Sequence, residues 1–275
     1  MDELRAGLQD SDGAAPPDRE RAGIQSVEVG FALLDVLAAA AGPLMLRDLA
    51  AAADMSAAKA HRYLVSFQRL GLVLQDAATT RYDLGPAALR LGLASLSRLD
   101  GVQMGRERLP VLLEQVGHTL ALAVWGNHGP TIVHWQESPL AVTVNLRLGD
   151  VMPLLTSATG LCFAAHLPYQ AVAAQLQAEL AQEQKLNRPK VPQTQAELEV
   201  LLADVRQRGL ARVANTLVPG VAGFCAPVFD ADKHMVLGMV VLGSNATLPC
   251  TWESPAPKAL LAAARQLSAD LGYLP

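Results

Sequence analysis

Between Leu46 and Leu70 two short helical periodicities meet at a break only two residues long, Met55-Ser56, and this junction constrains the fold more than any other part of the chain. It reads as the turn of a helix-turn-helix. The first helix is expected from Leu46 to Asp54 (LRDLAAAAD), and the second from Ala57 to Leu70, with Ser56 placed to cap its free N–H groups. On the second helix Ala60, Tyr63, Leu64, Phe67 and Leu70 recur at spacings of 3, 4 and 7 and are expected to face inward. His61, Arg62, Ser66 and Arg69 take the other side, with Lys59 at its flank, and no acidic residue falls between Ser56 and Leu70. A helix of this kind can approach phosphate without repulsion and enter a DNA groove. A solvated amphipathic helix with no special role has the same pattern, so the segment that follows carries weight.

That segment reads as a wing. Gly71 to Gln75 is expected to be a strand, Asp76 to Thr80 (DAATT) a polar turn, and Arg81 to Leu84 a returning strand before Gly85-Pro86. A hairpin directly after a helix-turn-helix lays its tip along the sugar-phosphate backbone, with Arg81 as a phosphate contact or a solvated turn residue. The candidate DNA-contacting set is Arg47, Ala57, Ala58, Lys59, His61, Arg62, Ser66 and Arg81.

The chain has 275 residues, enough for two cores, and its 51% hydrophobic but only 4% aromatic content suggests Ala- and Leu-rich helical packing. The formal charge of −4 is unevenly placed, because the tail through Ala22 sets three arginines against six acidic residues. The remainder is close to neutral, so the charge does not exclude nucleic acid. Residues 1–22 are expected to be a disordered tail with no signal-peptide character, and no apolar run reaches the roughly 18 residues needed to span a bilayer. A cytoplasmic protein is expected. Cys162, Cys225 and Cys250 are odd in number and scattered, which fits reduced thiols.

The domain plan is a winged helix-turn-helix over 23–85, a linker helix within 86–100 and a second domain over 101–275. A first helix should begin at Ser26, capped by its hydroxyl, with Glu28 in the first turn. Val27, Val29, Phe31, Leu33, Leu34, Val36 and Leu37 make it apolar almost all round, so it needs cover on two sides, either within one subunit or from a second one. The linker helix is expected over Ala87 to Leu99. Helices are then expected at Met104–Leu120, Ser157–Ala165, Tyr169–Leu180, Gln195–Gly209 and Ala256–Leu271. Strands are expected at Ala121–Trp125, Thr131–Trp135, Ala141–Leu146, Gly223–Phe229 and Met235–Leu242. The fold class is α+β, an antiparallel sheet covered by helices.

Over nearly its full length the chain resembles an IclR-type bacterial transcriptional regulator. The residues that carry this are Gly23-Ile24-Gln25-Ser26-Val27-Glu28, the LRDLAAAADM segment, His61-Arg62-Tyr63-Leu64, Leu70-Gly71-Leu72-Val73 and Arg81-Tyr82-Asp83-Leu84-Gly85. In the second domain they are Leu148-Gly149-Asp150-Val151-Met152-Pro153, Ser157-Ala158-Thr159-Gly160, Pro219-Gly220-Val221 and Ala226-Pro227-Val228-Phe229-Asp230. The resemblance implies a winged helix-turn-helix joined to a GAF-like domain that senses a small metabolite, in dimers or dimers of dimers on double-stranded operator DNA. Two departures stand out. Ala57 and Ala58 precede Lys59 where Lys followed by Ser or Thr is frequent, and Ala214-Asn215-Thr216-Leu217-Val218 replaces an acidic run before Pro-Gly-Val.

Ser157 as a helix cap leaves the N–H groups of Ala158, Thr159 and Gly160 to receive a carboxylate at the positive helix end, or to serve ordinary capping. With Trp135, Asn215, Val221, Gly223, Val240 and Leu242 as the remaining candidate lining, the pocket is expected to take an aromatic or hydrophobic carboxylate. No cofactor or metal is expected. Cys162 and His166 share a helix face but lack a third orienting group, and His118, His128 and His134 lack zinc spacing. The competing readings are a winged-helix module that binds protein rather than DNA, and a cysteine-dependent enzyme.

Overall fold

The structure is a computed structural model that describes residues 23–96, 98–139 and 146–275, and the chain divides into two units, Met1–Ser95 and Leu96–Pro275. In the first unit Leu33, Leu37, Leu49, Ala60, Leu64, Val73 and Tyr82 form one buried cluster. It joins helices α1 (Gln25–Ala39), α2 (Leu46–Ala52) and α3 (Ala57–Arg69) to the hairpin β1 (Val73–Gln75) and β2 (Tyr82–Leu84). Helix α1 starts one residue earlier than expected. Ile24 precedes it without any side-chain cap, so Ser26 lies inside the helix, while Glu28 does stand in the first turn. The helix buries Gly30, Leu33 and Leu37 but leaves Val27 and Phe31 more than half exposed.

The junction between α2 and α3 is as tight as expected. Asp54 turns the chain with φ of 49°, and the Ser56 hydroxyl accepts the Lys59 N–H at 3.3 Å. Leu70 corrects the expected inward face: it lies beyond the last turn of α3 and is 65% exposed. The hairpin is shorter than expected and gains a third segment unforeseen from sequence, because Leu44 and Tyr82 exchange backbone hydrogen bonds of 2.9 and 2.8 Å. Helix α4 (Pro86–Leu96) follows, with Leu89, Leu91 and Leu93 exposed.

The second unit is built on a five-stranded antiparallel sheet in the order β4-β3-β7-β6-β5, formed by β3 (Thr119–Gly126), β4 (Gly129–Gln136), β5 (Ala211–Ala214), β6 (Val221–Phe229) and β7 (Met235–Ser244). Successive residues alternate between two cores. Leu120, Leu122, Phe224, Ala226 and Val241 pack with α5 (Gly101–Val116) and α9 (Pro255–Asp270). Ala121, Ala123, Cys225, Val240 and Leu242 pack with α6 (Ala158–His166), α7 (Tyr169–Leu186) and α8 (Gln195–Arg208). Burial on both faces explains why β6 and β7 read as nearly unbroken apolar runs.

Several boundaries differ from the sequence expectation. Helix α5 stops at Val116 because Gly117 takes φ of +67°, a left-handed conformation that closes the helix, and Thr119 and Leu120 begin β3. Helix α7 runs six residues past Leu180, since AQEQKL contains no breaker before Asn187 turns left-handed with φ of 47°. Strand β5 was not expected, its ARVA sequence having one β-branched residue and no alternation. Residues 141–145 of the strand expected at Ala141–Leu146, and the expected tail over residues 1–22, lie outside the described residues, while Leu146 is described and belongs to no strand.

Candidate functional site

The first unit presents its polar side on α2, α3 and the hairpin. Arg47, Ala57, Ala58, Lys59, His61, Arg62, Ser66 and Arg81 are all exposed. Among the described residues no carboxylate pairs with Arg47, Lys59, Arg62 or Arg69, because the three ion pairs all lie in the second unit. The cations on α3 therefore point into solvent without a counter-charge, which suits a polyanion. Two of the eight residues also have local partners. The Ser66 hydroxyl donates back to the Arg62 carbonyl at 3.3 Å, and the Arg81 guanidinium donates to the Pro43 carbonyl at 3.1 Å, tying the wing to the loop before α2.

Asp76 organises the wing and was not singled out from sequence. Its carboxylate accepts the N–H groups of Ala78 and Thr79 at 3.1 and 2.7 Å and the Thr79 hydroxyl at 2.8 Å. These bonds favour the charged form and hold its pKa below the ordinary carboxylate value, the Thr79 N–H contributing most. An aspartate that opens a short turn was the available signal.

In the second unit the structure brings Trp135, Ser157, Ala158, Thr159, Val221, Gly223, Val240 and Leu242 to one cavity, joined by Met152, Leu217 and Val218. Among the described residues no Lys, Arg, His, Asp or Glu lines it. Its base is the sheet, and the amino end of α6 closes one side. That end is held firmly: the Ser157 hydroxyl donates to the Pro153 carbonyl at 2.7 Å and accepts the Gly160 N–H at 2.8 Å. The Glu179 carboxylate accepts the N–H groups of Leu154 and Leu155 at 2.9 and 3.0 Å, and the Thr216 hydroxyl donates to the Thr156 carbonyl at 2.7 Å.

Two residues expected in this pocket do something else. Gly160 has its N–H occupied by Ser157, and a Cβ there would sit 1.9 Å from the Pro153 carbonyl oxygen, so the glycine allows backbone to pack on backbone. Asn215 is left-handed at φ of 61°, and its side-chain oxygen accepts from the Gly220 N–H at 2.8 Å and the Asn245 amide at 2.6 Å. It shapes the loop beside the cavity without lining it. Gly223 is the reverse case: a Cβ there meets nothing within 3.5 Å, so its absence leaves room in the cavity.

The sequence pairing of Cys162 with His166 does not produce a nucleophile. Cys162 is fully buried and burial pushes its pKa up, so it stays a thiol. The His166 Nδ1 bonds to the Cys162 backbone carbonyl at 2.9 Å rather than to sulfur. All three cysteines are free thiols. On the exposed turn after β6, Asp230, Asp232 and His234 bring potential ligand atoms within 4.8 Å of one another, but one Asp230 oxygen already accepts the N–H groups of Asp232 and His234. Among the described residues no helix is long and apolar enough to cross a membrane.

The comparisons with known proteins agree with this architecture. Residues 26–77 match the IclR helix-turn-helix domain, and residues 93–269 match the C-terminal domain of bacterial transcriptional regulator IclR. The chain is 32% identical over 256 residues to the glycerol operon regulatory protein of Streptomyces griseus, covering 90% of this chain and 97% of that one. It is 27% identical over 249 residues to the HTH-type transcriptional regulator BhcR of Paracoccus denitrificans, covering 90% of this chain and 87% of the relative. The crystal structure of Pseudomonas aeruginosa HmgR superposes with a TM-score of 0.82 at 39% identity, covering 91% of this chain and 99% of that one. An exposed, unpaired basic helix beside a wing, followed by a sheet domain with an internal cavity, is thus the arrangement of a known group: this chain belongs to the IclR family of DNA-binding transcriptional regulators.

Proposed function

We propose that the chain's hold on operator DNA, or its activity there, is set by a small carboxylate with an aromatic or otherwise apolar body, bound in the cavity at the amino end of α6. The observation that carries this is the chemistry of the wall. The free N–H groups of Ala158 and Thr159 at a helix N-terminus are suited to an anion, and every other side is apolar or uncharged. A small polar acid would leave that apolar surface unpaired. The free volume is about 50 Å3, below the roughly 150 Å3 that admits a benzene ring. A ligand with a ring therefore has to part the wall, and Leu217 and Val218, on the loop between β5 and β6, are the residues to give way. Thermal-shift titration tests the reading: benzoate and phenylacetate are expected to raise the melting temperature, and stabilisation by pyruvate or glyoxylate alone would overturn it.

On DNA, Arg47, Lys59, Arg62 and Arg81 serve as phosphate or base contacts, and Ala57, Ala58, His61 and Ser66 lie on the face that enters the major groove. The alanine methyls suit thymine methyl groups. The half-exposed side of α1 around Val27 and Phe31 forms, with Tyr63, Phe67 and Leu91, an apolar groove of about 650 Å3 within the first unit. A second copy of the chain covers it in this proposal, which presents two recognition helices to half-sites about 34 Å apart. Effector binding acts by changing that spacing through the linker segment, 86–100. Equal operator affinity with and without saturating effector, together with unchanged transcription, would contradict this mechanism.

A further inference from the structure

Helix α6 spans two concavities. The ligand cavity above lies at its amino end, and at its carboxyl end His166 opens onto a groove of about 700 Å3 that nothing above employs. This groove is within the size range of small-molecule sites. Its floor is aromatic: Phe229 stacks on Tyr273 at 5.1 Å between ring centroids and 26° between planes, and His166 meets the Phe229 ring edge-on at 5.4 Å. Its rim is cationic, with Arg206 from the last turn of α8 and Arg265 from α9. Among the described residues neither guanidinium forms an ion pair. Arg206 keeps one contact, donating to the Ala165 carbonyl at 3.0 Å. On the same two helices Asp270 pairs with Arg108 and Asp204 with Arg208, and Pro275 also lines the groove. His166 carries no negative charge in either protonation state. A carbonyl can only accept, so Nδ1 carries the hydrogen donated to Cys162; burial holds the ring's pKa below its ordinary value, opposed by the bond to the Cys162 carbonyl and assisted by the Arg206 charge.

We propose that this groove is a second ligand site, specific for a flat aromatic anion held between Arg206 and Arg265 with its ring against Phe229 and Tyr273. Two unpaired guanidiniums over an aromatic floor match an acid group and a planar body at once. This site shares no lining residue with the cavity at the amino end of α6, so it stands whether or not that cavity binds the effector.

The test uses the full-length chain and 8-anilinonaphthalene-1-sulfonate as a fluorescent aromatic anion, with the uncharged N-phenyl-1-naphthylamine as its neutral counterpart. Binding of the sulfonate is expected to weaken about tenfold in Arg265→Ala and to be largely kept in Arg265→Lys. Arg265 is exposed on α9, so its loss leaves the fold intact, and an unchanged melting temperature checks this. In Gly223→Leu, which fills the other cavity, the sulfonate isotherm is expected to be unchanged. An Arg265→Ala isotherm superimposable on that of the parent chain would overturn the proposal. So would equal binding of the neutral amine, or loss of sulfonate binding in Gly223→Leu.

Discussion

Helices α3 and α6 begin alike and end up doing opposite things. Each is capped by a serine that accepts an N–H from the third residue on, Ser56 from Lys59 and Ser157 from Gly160, and each opens with alanine. Yet α3 buries only Ala60 and Leu64, whereas α6 buries every residue from Ala158 to Ala165. The cap is a local device that starts a helix wherever it is placed. What the helix is used for depends on what packs around it: solvent and unpaired cations for α3, a sheet and two further helices for α6.

The largest expected effect tests the buried member. Gly160→Ala puts a methyl group 1.9 Å from the Pro153 carbonyl oxygen, where neither backbone can move freely, and should destabilise the second unit by about 3 kcal/mol. The measurement is the thermal transition of the full chain. If the variant melts like the parent, the close approach of α6 to the 153–154 backbone is not what holds the helix in place.

Next come the caps themselves. Ser157→Ala removes a hydroxyl with one buried and one part-buried hydrogen bond and is expected to cost about 2 kcal/mol, while Ser56→Ala removes an exposed cap bond of 3.3 Å and should cost about 0.5–1 kcal/mol. Equal losses would mean that surroundings do not alter what a cap contributes.

On the exposed member, Arg62→Ala should weaken operator binding about tenfold in a gel shift and reduce its salt dependence, with no change in melting temperature, since the side chain makes no ion pair. A fall in stability without a fall in affinity would place Arg62 in the fold rather than on DNA.

The smallest expected effect concerns pH. In the second unit burial holds the pKa values of His118 and His166 below their ordinary 6.5. The unfolded chain therefore binds more protons than the folded one once pH falls through about 6.5. Stability present above that value declines below it, until the folded-state histidines protonate as well. In the first unit the shifted group is Asp76, whose lowered pKa contributes stability that is present above its ordinary 3.8 and lost only as pH falls further, through the folded value. Acid should accordingly loosen the second unit before the wing. Melting curves at pH 7.5, 6 and 5, repeated on His166→Gln, check the order: the variant should show a shallower decline between pH 7.5 and 5.

Much of the winged unit was readable from sequence because its signals are local. The Met55-Ser56 break, the Ser56 cap, the 3, 4, 7 spacing of Ala60, Leu64 and Phe67, and the DAATT turn each act within a few residues. The failures there were also local ones. Ser26 looked like a cap, but the chain entered α1 at Ile24, and Leu70 kept the apolar spacing one position beyond the point where α3 ends. In the second unit Gly223, Val240 and Leu242 were legible through the family resemblance, and the structure lines one cavity with all three, Gly223 pairing with Leu242 across β6 and β7.

The chain's sequence by itself determined where α3 and α6 start, that α3 carries cations without acids, and to which family the chain belongs. Only the tertiary structure decided which polar groups were already spoken for. Gly160 is drawn against Pro153, Asn215 is claimed by Gly220 and Asn245, Arg81 reaches Pro43, and Glu179, distant in sequence, holds the loop before α6. The physical reason is that capping and periodicity act over three or four residues, whereas hydrogen-bond partners and the space around a Cβ are set by chain segments tens of residues apart.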